Sequence, residues 1–168
     1  MKKVIILGIV CVIILQCGYR MSGTGSFLPS HIKRISIPTF KNKTTRFQID
    51  VKLTQSVIEE MVARGKVDVK SDEDADAILV GEILSFQASP IAFTEEAAAD
   101  RYAITITAKI ILMDLVKNRI VFKNPYFIYR EEYEVPEGTD FESIETEALE
   151  KISEKFARSL VTTILEGF

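Results

Sequence analysis

From Tyr102 to Leu112 every second residue is apolar: Tyr102, Ile104, Ile106, Ala108, Ile110 and Leu112, with Thr105, Thr107 and Lys109 between them. Side chains of an extended chain point alternately to opposite faces, so this pattern demands a strand with one face buried and one wet. Ile111, Met113 and Leu115 then make the far end apolar on both sides, and the strand is predicted over Tyr102–Leu115. Lys117-Asn118-Arg119 is a tight turn, from which Ile120–Val135 returns, interrupted by Pro125. Ala77–Ala88 reads as the preceding strand, with Ile78, Val80, Leu84 and Phe86 on one face, and Ser89–Ala99 as a long connection. A shorter strand lies within Ile32–Phe40, where Ile35 and Ile37 oppose Arg34 and Ser36. It ends near Pro38, which lacks a ladder donor.

Two segments follow the helical period instead. Asp50 is placed to cap a helix whose apolar residues Leu53, Val57, Ile58, Met61 and Val62 recur at offsets of three and four. Gly65 follows, free to take the left-handed conformation that ends a helix. Near the C-terminus, Thr139 and Glu142 match a capping box. Ile144, Ala148, Ile152, Phe156, Leu160 and Ile164 follow at four-residue steps, joined by Leu149, Val161 and Leu165. Such a helix of roughly 35 Å crosses a sheet of four strands. The order strand, helix, three strands, helix predicts an α+β two-layer sandwich: two helices packed on one face of a mixed four-stranded sheet, as a single domain over residues 31–168.

What precedes that domain has a different character. Lys2 and Lys3 are followed by an unbroken apolar stretch, Val4–Leu15. That is shorter than the ~20 residues of a bilayer-spanning helix but suits the apolar region of a signal peptide. Ile14-Leu15-Gln16-Cys17-Gly18 resembles the lipobox of bacterial lipoproteins, with Gln16 where Gly, Ala or Ser is usual. On that reading residues 1–16 are removed and Cys17 carries the acyl chains. The competing readings are an uncleaved short anchor and a secretory signal cut elsewhere. Residues 17–30, rich in Gly and Ser, then form a lipidated tether. Cleavage removes Lys2 and Lys3 from the 21 basic side chains and none of the 24 acidic ones, leaving a net charge of −5. No free thiol then remains for a disulfide, so the core alone must hold the domain.

The composition excludes much chemistry. One histidine, His31, and two cysteines leave no zinc-ligand set and no histidine-assisted nucleophile beyond that single imidazole. Gly23-Thr24-Gly25 stands in the tether rather than between strand and helix, so it is not a phosphate loop. Asp72-Glu73-Asp74-Ala75-Asp76 lacks the central glycine and closing glutamate of a calcium loop and reads as a solvated turn. Adjacent carboxylates such as Glu131-Glu132 point apart on a strand. The chain is read as a non-enzyme without cofactor or metal, and the absence of a polybasic run excludes nucleic acid as a partner.

What remains is surface. Phe122, Tyr126, Phe127, Tyr129 and Tyr133 crowd the strand containing Pro125, and their alternation forces some of them off the helix-covered face. Lys117, Arg119 and Lys123 gather near the hairpin turn, with Arg101 at the start of the preceding strand. Cations beside apolar surface suit an amphipathic ligand with phosphate head groups; ordinary solvated charge accounts for the same residues.

The chain also resembles the LPS-assembly lipoprotein family, LptE. The matching phrases are Cys17-Gly18-Tyr19-Arg20 with Gly23 and Gly25, Leu28-Pro29, and Ile32–Phe40 ending in Ile37-Pro38-Thr39-Phe40. They continue through Asn42, Thr44, Leu53-Thr54, Arg64-Gly65, the run Ala75–Ile83, and Arg101-Tyr102. The resemblance implies a lipoprotein anchored in the cell outer membrane and facing the periplasm, with two helices on a four-stranded sheet. It implies a plug in the lumen of the LptD β-barrel that helps the barrel assemble and helps deliver lipopolysaccharide to the outer leaflet. Of the functional positions only Cys17 carries over by motif. Arg101, Lys117, Arg119 and Lys123 are candidate lipopolysaccharide contacts from position alone. The alternatives are an envelope lipoprotein of similar fold acting as a protein-binding activator or secretion component, or a lipid carrier, which needs an enclosed apolar cavity.

Overall fold

The computed structural model describes residues 28–93, 99–136 and 141–167, with side chains in the last segment from 146 onward. The signal segment, Cys17, and the Thr139–Glu142 capping box lie outside the described residues. Strands β1 (Arg34–Ser36) and β2 (Lys41–Asn42) precede helix α1 (Ile49–Arg64). Strand β3 (Asp68–Val69) and a single 3-10 turn at Asp72–Asp74 lead into β4 (Ala77–Phe93), β5 (Ala99–Asp114) and β6 (Arg119–Glu134), and helix α2 (Phe141–Glu166) closes the chain.

The sheet is mixed, as expected, but among the described residues it has six strands rather than four. Its order is β3-β1-β4-β5-β6, with β2 also pairing with β4. The extra strands β2 and β3 are two residues each, and both pair in parallel with β4 or β1. Segments this short carry no alternation that a sequence can display; tertiary placement alone gives them partners. β4, β5 and β6 form an antiparallel meander.

The core lies between the sheet and the two helices. Ile104, Ile106, Ala108, Ile110 and Leu112 of β5 are all buried, the face predicted by their alternation. β4 uses the opposite set to the one expected. Ala77, Leu79 and Ile83 are buried, whereas Val80 is 44% exposed. The register shifts between Ile83 and Ser85, and Phe86 and Ala88 then pack on the core. This bulge reverses the facing of the strand midway, so a single period-two reading anchored on Phe86 assigns the first half to the wrong face.

β4 and β5 also pair further than expected, through Pro90 to Phe93, and the predicted Ser89–Ala99 connection shrinks accordingly. β4 has β2 beside it only as far as Ile83. Among the described residues Pro90 therefore sits on an edge, where its missing donor is tolerated, and the ladder slips a register there. Pro125 repeats the device on the edge strand β6: Ala108 pairs with Phe127 but Ile110 with Asn124, so an extra residue is accommodated around the proline.

Helix α1 is capped differently from its prediction. Gln48, at φ 59°, precedes it without a side-chain cap, and Asp50 lies in the first turn. Burial of Ile49 beside Leu53, Thr54, Val57 and Met61 sets the start, and Asp50 still complements the positive helix end. Val62 turns to solvent, 56% exposed, because the buried stripe runs through Met61 and the next residue is rotated about 100° from it. Gly65 ends the helix at φ 62°, its N–H bonded to the Val62 carbonyl. Helix α2 buries the predicted stripe from Ala148 onward, with Leu149, Ile152, Phe156, Leu160, Val161, Ile164 and Leu165; the side chain of Ile144 lies outside the described residues. Phe156 meets the edges of Phe127 at 5.4 Å and Tyr129 at 6.2 Å, which clamps α2 onto β6.

Leu28, assigned by composition to the tether, is buried in the same core, and Ile32 N–H bonds to the Pro29 carbonyl.

Candidate functional site

The predicted basic residues separate into two places. Arg101 pairs with Glu134 on β6, and Asp114 pairs with Arg119 at the other end of the same hairpin. The thirteen residue steps of strand from Arg101 to Asp114 span roughly 40 Å. Lys117, Arg119 and Lys123 are therefore grouped at the β5–β6 turn, and Arg101 stands away from them.

The turn is built around Asp114. Its side chain is completely buried, and its Oδ1 accepts hydrogen bonds from the backbone N–H groups of Val116 (3.1 Å) and Lys117 (2.9 Å). His31 Nε2 lies 2.9 Å from Oδ2, and Arg119 Nε lies 3.6 Å from the same oxygen. Burial opposes ionisation, but the Lys117 and Val116 backbone donors together with His31 hold the carboxyl below its ordinary range. A buried carboxylate with every oxygen engaged fixes the loop conformation, including Asn118 at φ 47°. The braced turn presents Leu115 (40% exposed) and Val116 (65%) outward, with Ile120 (55%) beside them. Lys117 and Lys123 are exposed and, among the described residues, make no ion pair.

Arg101 has a different setting. Its guanidinium pairs with Glu134 (3.1 Å) and Glu132 (3.8 Å) on β6. It borders a groove of about 470 Å³ between β6 and α2, which Tyr133, Ile152, Lys151, Lys155 and Arg158 also line. Lys155 bonds to Glu131 at 2.5 Å, and that ammonium, seconded by the Tyr129 hydroxyl, holds the Glu131 carboxyl below its usual range. Lys151 lies 5.9 Å over the Tyr133 ring and is raised by its bond to Glu147. The groove thus alternates cations and carboxylates around an aromatic floor.

Sequence reasoning missed the three α2 bases and the His31–Asp114 contact. The bases follow the polar side of a helix whose angular position against β6 only packing defines. His31 and Asp114 stand 83 residues apart, and no local signal joins them.

The outer face of the sheet, away from the helices, carries Glu82 between Lys43 (3.9 Å) and Lys109 (3.8 Å), with Ser85, Thr105 and Thr107 along the same rows. Among the described residues no three His, Cys, Asp or Glu side chains group as a metal site, and no helix is long and apolar enough to cross a membrane.

Residues 32–164 match the family model LptE, described as lipopolysaccharide-assembly. The chain belongs to the LptE family. The match runs from the first strand to the last turns of α2, so it takes in both layers of the sandwich and both basic clusters. A search of curated proteins finds no match. Solved structures share the fold at low identity. A hypothetical protein of Chlamydia trachomatis has a TM-score of 0.56 at 9% identity, covering 82% of this chain and 97% of its own. The PelC dodecamer structure from Paraburkholderia phytofirmans gives 0.54 at 13%, covering 84% and 95%. A Xanthomonas campestris protein gives 0.56 at 16%, covering 80% and 85%. At these identities the likeness shows the fold of this LptE-family chain and no more.

Proposed function

We propose that this LptE-family chain is a lipoprotein of the outer membrane, acylated at Cys17 and facing the periplasm, that plugs an LptD-type β-barrel and assists its assembly. In that role it helps pass lipopolysaccharide to the outer leaflet and makes or breaks no bonds itself. The observation that carries the reading is the family match over residues 32–164, which spans the complete two-layer unit. The polar part of the outer sheet face supports it: Ser85, Thr105, Thr107 and Glu82 between Lys43 and Lys109, which share that face with exposed Val80 and Ile128, suit the polar lumen of a large barrel.

Arg101 and the turn bases stand too far apart to grip one head group. The lipopolysaccharide contact is assigned to the Arg101 end, where Arg101, Lys151, Lys155 and Arg158 surround Tyr133 and Ile152. Phosphates there would displace glutamates from cations already in place, exchanging one charge-assisted bond for another. The apolar floor offers acyl chains a surface.

The test is depletion of the protein in its host, with surface lipopolysaccharide and folded barrel measured together, and mild detergent extraction to recover the barrel as a co-purifying partner. Loss of both on depletion supports the reading. Recovery of a free monomer, with barrel and surface lipopolysaccharide unchanged, overturns it.

A further inference from the structure

We infer that the β5–β6 turn, Leu115–Asn118, at the end of the domain away from the Arg101 groove, meets an anionic bilayer surface at the mouth of the barrel: Leu115 and Val116 enter its interfacial layer while Lys117, Arg119 and Lys123 meet lipid phosphates. The inference rests on the reading of Cys17 as the acylated residue, because it places the turn against the leaflet that holds those chains.

Four observations converge on it. Leu115, Val116 and Ile120 are 40%, 65% and 55% exposed, at or beside the β5–β6 turn. Exposed aliphatic side chains at a loop tip, ringed by cations, match the interfacial zone of a membrane, where apolar groups go inward and ammonium groups stay with phosphates. The turn is rigid, since buried Asp114 bonds to the N–H groups of Val116 and Lys117, so little ordering opposes insertion. The chain also arrives at this end. His31 touches Asp114 at 2.9 Å, which puts Leu28, three residues earlier, within about 20 Å of the base of the turn. The stretch from Cys17 to Leu28, at most about 40 Å long, therefore joins the domain at the turn's end rather than at the Arg101 end.

The acidic residues Asp72, Glu73 and Asp74 set the orientation. They lie beside β1, where Ser36 Oγ donates to Asp72 Oδ1, and β1 is three strands from β6, about 14 Å away. Repulsion from anionic lipid tilts that side up and the Lys117–Lys123 side down.

The test uses the full-length protein with Cys11→Val and Val116→Cys, labelled at residue 116 with an environment-sensitive fluorophore. It is reconstituted into phosphatidylcholine–phosphatidylglycerol vesicles containing spin-labelled lipid as quencher. A Gln87→Cys twin reports the far end of β4, and the unsubstituted Cys11→Val parent takes up label only if the Cys17 thiol is free. Quenching at 116 but not at 87, falling several-fold in K117E/K123E or in pure phosphatidylcholine, supports the proposal. A probe at 116 that stays in water while the protein floats with the vesicles overturns the docking and leaves the anchor reading intact. Labelling of the parent, with no flotation, overturns both. Thermal unfolding of K117E/K123E in detergent verifies that the variant is folded.

Discussion

His31 Nε2 lies 2.9 Å from Asp114 Oδ2, joining the first described turn of the chain to the base of the β5–β6 hairpin across 83 residues. Asp114 also serves two backbone N–H groups, so its carboxylate is a junction rather than one half of a pair. Asp114→Ala leaves three donors short of an acceptor in a buried place and is expected to lower Tm by about 5 °C or more. His31→Ala, at a partly exposed ring, should cost less. Parallel calorimetric melts of the two variants check the order; equal losses would mean that the imidazole, not the turn, dominates.

Acid stability should depend on Asp76. Its carboxylate takes the Arg34 guanidinium at 2.8 Å and the backbone N–H groups of Lys33 and Arg34, and the Arg34 bond foremost holds it far below the usual carboxylate range. A depressed carboxyl contributes its stability in full above the unfolded value of about 3.9 and loses it as pH falls toward the folded value. Asp76→Asn should therefore melt earlier than wild type at pH 7, and the gap between the two should begin to narrow below about pH 4 and go on shrinking as pH falls toward the folded value. Denaturant midpoints across that range test it, and a constant gap would contradict the assignment.

Gly81 holds the space that Phe40 fills. A Cβ at Gly81 would stand 2.5 Å from Phe40 Cγ, and the ring is 2% exposed with nowhere to withdraw. Gly81→Ala is expected to destabilise by about 1–3 kcal/mol through overpacking. Phe40→Leu opens the space, so the double variant should recover part of the loss, a non-additivity that chemical denaturation of all four proteins measures.

Phe156 is the point where α2 grips the sheet. It is fully buried and edge-on to two aromatic rings. Phe156→Ala is expected to cost about 3–5 kcal/mol. The same change should expose Tyr129, whose phenol burial first and the Glu131 carboxylate second hold well above the ordinary range. A raised phenol contributes stability that is complete below about pH 10 and lost as pH climbs through the folded value. Ultraviolet titration of the tyrosines in wild type and Tyr129→Phe should identify one late-ionising phenol.

Local order alone determined much of this protein. The alternation from Ile104 to Leu112 named the buried face of β5, the four-residue steps from Ala148 to Ile164 named that of α2, and Gly65 named the end of α1. Each is a consequence of the backbone period acting on nearby residues. Tertiary structure decided wherever the governing contact is remote. The bulge after Ile83 reversed the facing of β4, and edge position let strands run through Pro90 and Pro125. Two-residue strands acquired partners, and a burial requirement at Ile49 moved the start of α1 ahead of its apparent cap. The same holds for the site: the basic residues and the strand that parts Arg101 from the turn were visible in the chain, but the α2 bases around Arg101 and the contact of His31 with Asp114 follow from packing. Period is local and is written in the sequence; register, edge and distance are set by what packs alongside.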